Sequence, residues 1–132
     1  MTDLQYITLK QNNTYITYAF LNNKKVCECK ISVDLDRKWT VTSWFTVEDH
    51  KHNGYGTRTL SECIKQIRLN NLAPVIIEYI WNGQNQYVLD WLTEHFDAEC
   101  ICPIAVQKTA ASDDWESHIY RLDKDKFLNY FQ

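Results

Sequence analysis

At 132 residues the chain is long enough for one domain with a real core, and 45% apolar and 14% aromatic residues can fill it. A net charge of −3 with no Lys/Arg run argues against a nucleic-acid binder. No stretch approaches 18 apolar residues, and Met1-Thr2-Asp3-Leu4-Gln5 lacks signal-peptide character, so the expectation is a cytoplasmic protein without a membrane partner.

Gln5 to Lys10 reads as a short strand, and Asn12-Asn13 as a turn. Tyr15 to Leu21 is a second strand. Asn22-Asn23 turns the chain again, so Lys25 to Val33 is expected to pair back as a hairpin. Trp39 to Val47 follows, alternating Trp39, Val41, Ser43, Phe45 and Val47 against Thr40, Thr42, Trp44 and Thr46, a strand used on both faces. Thr57 to Leu69 is an amphipathic helix with Leu60, Cys63, Ile64 and Ile67 on one stripe. Pro74 to Trp81 reads as a buried parallel strand, and strand-helix-strand implies a right-handed crossover. Gln84 to Phe96 forms a second helix, with Val88, Trp91, Leu92 and Phe96 inward. Ala98 to Val106 and His118 to Leu122 are late strands around a polar loop, 108 to 115. Lys124 to Phe131 closes as a short helix packing Phe127, Tyr130 and Phe131. The fold class is α+β: one domain over residues 1–132, a mixed, mostly antiparallel sheet with a central parallel pair, and two or three helices.

Only three glycines occur, and two lie together in Lys51-His52-Asn53-Gly54-Tyr55-Gly56, between a strand and a helix. A glycine turn there aims backbone N–H groups and the positive end of the helix dipole at an anion. The plainer alternative is a loop glycine needing positive φ.

This order of elements, with the glycine turn after the fourth strand, resembles the GNAT acyltransferase superfamily. The match is Lys51-x-x-Gly54-x-Gly56, where the family carries Arg/Gln-x-x-Gly-x-Gly/Ala. Asn85-x-x-Val88-x-x-Trp91-Leu92 is a weaker second match. The resemblance implies acetyl-CoA as cosubstrate and acyl transfer to a small-molecule or peptide amine. It implies that the amides of His52, Asn53, Gly54, Tyr55, Gly56 and Thr57 cradle the diphosphate, with Lys51 or Arg58 adding charge. The end of the preceding strand, Phe45-Thr46-Val47, would pair with pantetheine through backbone groups of Phe45 and Val47. Asn85 would contact the pantetheine or phosphates, or else cap its own helix.

The chain departs from the family in several places. Lys51 lacks the planar fork of arginine. The position of the family's acidic tyrosine falls on Leu92 or Trp91. The strand from Trp39 to Val47 has no carboxylate, and Lys10 to Tyr15 leaves room only for a turn where the family has helices. Glu78, the one charge in the run 75–81, is the candidate general base, set against an inter-strand ion pair. Glu48, Asp49, His50 and His52 flank the loop; Tyr79 and Tyr87 are candidate acids as readily as core residues. The cysteine pairs 27/29 and 100/102 share a strand face in each case and are read as small buried residues rather than metal ligands. The competing functions are a weakly active or inactive CoA-binding or interaction module, and a scaffold whose tryptophans form an interface. A homodimer stays open.

Overall fold

In a computed structural model, residues 3–47, 51, 53–70, 72–81, 86–102 and 118–132 are described. The chain divides into two compact units, Met1–Pro74 and Val75–Gln132.

The first unit is an antiparallel sheet of four strands carrying one helix. β1 (Gln5–Gln11), β2 (Thr14–Leu21), β3 (Lys24–Val33) and β4 (Lys38–Thr46) pair in sequence order. The first two turns fall at asparagines, with Asn12, Asn22 and Asn23 at positive φ, and the third at Asp34 to Arg37, with Arg37 at positive φ. Asparagine tolerates that region better than most residues. Helix α1 (Tyr55–Leu69) buries Leu60, Cys63, Ile64 and Ile67, the expected stripe, together with Thr59. Each aliphatic side chain so buried stabilises by about 1.5–3 kcal/mol. Cys27, Cys29, Ile31, Trp39 and Val41 are buried on the sheet. Trp39 Nε1 donates to Leu72 O at 3.0 Å, satisfying its one polar atom.

β4 is not a regular strand. Lys30 pairs with Ser43 and Ile31 with Val41, so Thr42 is an extra residue. Such a bulge shifts the side-chain phase by one and sharpens the twist. Before it Trp39 and Val41 are buried; after it Phe45 is exposed and Trp44 reaches the helix. The strand is therefore not a continuous alternation of odd against even positions. The inward set is Trp39, Val41, Trp44 and Thr46.

The second unit contains β5 (Ile76–Trp81), α2 (Gln86–Phe96), β6 (Glu99–Cys102), β7 (His118–Leu122) and α3 (Lys124–Tyr130). β7 pairs antiparallel with both β5 and β6. The inward face of α2 is Leu89, Leu92 and Phe96. Val88 and Trp91, expected inward, are half-buried: the buried stripe follows the 3.6-residue spacing through Leu89, and Trp91 packs at its margin, edge-on to Phe96 at 5.5 Å. Phe127 and Phe131 are buried as expected, whereas Tyr130 stays half-exposed beside Trp91. Asp123 caps α3, accepting from Lys126 N at 3.0 Å, while its own N–H donates to Phe96 O at 2.8 Å. No helix among the described residues is long and apolar enough to cross a membrane.

Candidate anion site at the start of helix α1

Gly54 sits at the N-cap of α1 with φ 76°, in the left-handed region. That conformation explains the residue: an L side chain there costs roughly 1–2 kcal/mol. The helix starts at Tyr55, two residues earlier than the sequence suggested, so Tyr55, Gly56, Thr57 and Arg58 form its first turn. Arg58 N donates to Gly54 O at 3.1 Å. By helix geometry the amides before Arg58 point out of the helix end. The N-cap is itself a glycine and brings no side-chain cap, and the first turn, Tyr55 to Arg58, holds no acidic residue. The end therefore keeps its positive partial charge. A Cβ added at Gly54 would meet no atom of the described residues within 4 Å.

Gly56 is different. A Cβ there would lie 3.3 Å from Thr46 Oγ1 and 3.4 Å from Trp44 Nε1. This glycine lets the first turn of α1 lie close against β4. Trp44 Nε1 donates to Gly56 O at 2.8 Å, and Thr46 Oγ1 lies 2.9 Å from the Cys27 thiol. Together these contacts fix the helix end to the strand after the bulge.

The other expected contacts sort as follows. The Tyr55 ring packs against the Leu4, Ala19, Val26 and Cys27 cluster, so it is a core side chain. Thr57 is half-buried, and Lys51 and Asn53 are exposed. Arg58 is half-exposed, with Nη2 3.7 Å from Asp3 Oδ1. It also reaches the Tyr6 hydroxyl, which burial pushes above its ordinary value against the opposing pull of the guanidinium. Val47 N donates to Val26 O at 2.8 Å, so that amide is spent on β3. Main-chain groups alternate along an antiparallel ladder. Phe45 therefore shares the inward edge of Val47, and it is Trp44 and Thr46 whose main-chain groups turn away from β3. The expectation that Phe45 and Val47 offer free backbone groups is corrected accordingly. Glu48, Asp49, His50, His52 and Asn85 lie outside the described residues, as does the loop from 108 to 115.

Glu78 is buried on β5, at 5% exposure. It stands directly opposite Arg121 of β7, whose Nη2 lies 3.3 Å from Glu78 Oε2. In the strand register Arg121 also stands opposite Glu99 of β6. The carboxylate thus has a cross-strand ionic partner, which the residue's own segment could not reveal. The Trp81 indole lies edge-on to His118 at 5.8 Å.

Cys27, Cys29 and Cys63 are buried. Burial pushes the Cys29 thiol well above its ordinary value, and the adjacent Cys63 adds to the shift. These thiols are packing residues. Cys100 is exposed, contrary to the expectation of a buried pair with Cys102. It lies on β6, which pairs on one side only within this unit. Neither the bulge at Thr42 nor the Trp44–Gly56 clamp was foreseen, although the step in apolar phase from Val41 to Trp44 is visible in the sequence.

No protein-family model matches the chain, and no curated protein matches it in sequence. Solved structures do match in fold. Nourseothricin acetyltransferase is 10% identical, with a TM-score of 0.70, over 94% of this chain and 86% of that one. The PaiA N-acetyltransferase of Thermoplasma acidophilum, solved with coenzyme A, is 12% identical with a TM-score of 0.60 over 84% of this chain. The present chain spans 61% of its length. A GNAT family acetyltransferase from Elizabethkingia anophelis, with acetyl-CoA bound, is 7% identical with a TM-score of 0.64, over 91% of this chain and 97% of that one. The fold is that of the GNAT acetyltransferases.

Proposed function

We propose that residues 1–132 act as one acetyl-CoA-dependent N-acyltransferase domain, with the cofactor's diphosphate held by the loop and first helical turn at 51–58. The observation that carries this reading is the left-handed Gly54 at the N-cap of α1, with no described atom within 4 Å of where its Cβ would stand and no acid in the first turn. Those features suit a phosphate group on physical grounds alone. Structures of the same fold with coenzyme A or acetyl-CoA bound give independent support.

In this reading the amides from His52 to Thr57 hold the diphosphate, and Lys51 offsets its charge with help from Arg58. The main-chain groups of Trp44 and Thr46 that turn away from β3 pair with the pantetheine amides, and Asn85 contacts the same arm. Acetyl-CoA, when bound, supplies the activated thioester. An amine acceptor, small or peptidic, attacks the carbonyl directly, forming C–N as C–S breaks. Positioning accounts for most of the rate. The amine proton passes to Glu78, the candidate base, and the thiolate leaves without an assigned acid. No buried cysteine serves as an acyl carrier.

Thermal unfolding with and without acetyl-CoA tests the cofactor reading. Saturating ligand stabilises by about 2–4 kcal/mol through mass action. No shift at millimolar acetyl-CoA overturns it. Release of free thiol in the presence of an amine panel then tests transfer.

A further inference from the structure

β1 is the edge strand of the first unit's sheet, and its chemistry is unusual for an edge. Natural edges are blunted with charge, proline or bulges. Gln5–Gln11 carries a single charge, Lys10, and pairs with β2 in unbroken register. Ile7 is 51% exposed and Leu9 45%, side by side on the face away from α1. On the other face, Thr8 Oγ1 meets Thr17 Oγ1 at 2.9 Å and Lys10 Nζ lies 5.7 Å from the centre of the Tyr15 ring.

The register with β2 shows which main-chain groups the edge offers. A two-residue turn at Asn12-Asn13 closes on the pair Gln11–Thr14. Such a hairpin closes on a hydrogen-bonded pair, so Gln11, Leu9, Ile7 and Gln5 bond to β2. The N–H and C=O groups of Tyr6, Thr8 and Lys10 therefore point outward.

We infer that β1 is a docking edge for a second copy of this chain, joined antiparallel about a two-fold axis through Thr8. The strand is self-complementary in that register. Thr8 faces its own mate, and Tyr6 faces Lys10 of the second copy, so every outward-pointing residue is matched in a hydrogen-bonded pair. Ile7 faces Leu9 of the second copy on the exposed face, which makes one continuous aliphatic stripe from two half-exposed ones. The one charge never meets its like: Lys10 lies between Tyr15 of its own chain and Tyr6 of the other, a cation between two ring faces. Centring on Ile7 or Leu9 instead sets glutamine against an aliphatic residue and leaves outward groups unmatched.

Sedimentation velocity on the full chain over a wide concentration range, joined to hydrogen exchange, tests this. The expected result is a concentration-dependent dimer in which the amides of Tyr6, Thr8 and Lys10 gain protection, while those of Ile7 and Leu9, already bonded to β2, do not change. Ile7→Lys with Leu9→Lys sets like charges opposite each other twice and weakens association about tenfold or more. Ile7→Lys with Leu9→Glu sets opposite charges together across the seam and regains it. A chain monomeric at every concentration overturns the inference. So does a dimer indifferent to the double lysine variant, or one whose lysine/glutamate variant associates no better than the double lysine. The exchange pattern of the unmodified protein decides the matter if a variant fails to fold.

Discussion

Trp44 Nε1 donates to Gly56 O at 2.8 Å, and the same ring lies 3.4 Å from where a Gly56 Cβ would stand. The indole thus both holds the helix end and excludes a side chain from it. The two glycines of the loop consequently serve different needs: Gly54 the backbone angle, Gly56 the approach of helix to strand.

Substitutions separate these roles. Gly56→Val crowds Thr46 and Trp44 and destabilises the fold by about 1–3 kcal/mol, in addition to any loss of binding. Gly54→Ala costs roughly 1–2 kcal/mol through its positive φ and meets none of the described residues. Chemical denaturation of both variants, with acetyl-CoA calorimetry on whatever remains folded, checks the division. Equal stability of Gly56→Val and the unmodified protein would show the approach to be looser than described.

Lys51 is exposed and Arg58 is engaged with Asp3 and Tyr6. Lys51→Ala therefore weakens acetyl-CoA binding by up to about 1 kcal/mol, the scale of a screened surface charge contact. Raising salt diminishes the difference between the variant and the unmodified protein. A salt-independent loss would point to a contact of another kind.

Arg121→Met removes the cation opposite a buried carboxylate and destabilises by about 1–3 kcal/mol. Glu78→Gln removes the charge that needs pairing and costs less. If Glu78 is the base, its glutamine variant lowers turnover at neutral pH about 100-fold with acetyl-CoA affinity unchanged. Full turnover in Glu78→Gln leaves the residue an ion-pair partner only.

Thiol reactivity follows burial. Of the four cysteines whose side chains are described, Cys100 is labelled by a maleimide in the folded protein. Cys27, Cys29 and Cys63 react only on unfolding, Cys29 also because its thiol is held protonated. Peptide mapping after brief labelling reads the order, and early labelling of Cys29 would mean that α1 opens readily.

Local pattern was enough to order the elements of the chain. Period-two runs flanked by Asn-Asn turns marked the hairpins, and Leu60, Cys63, Ile64 and Ile67 marked the inner face of α1, because those signals reside within a few residues. The glycine loop was legible for the same reason. Non-local pairing decided the rest. The ladder with β3 inserts Thr42 as a bulge, and that one extra residue reverses which of Trp44 and Phe45 faces the helix. The same ladder spends the Val47 amide on Val26 O. Arg121 lies 43 residues beyond Glu78 in the chain and reaches it only through strand register. Periodicity reports which side of its own element a residue occupies; what stands opposite depends on another segment, and only the folded chain supplies that.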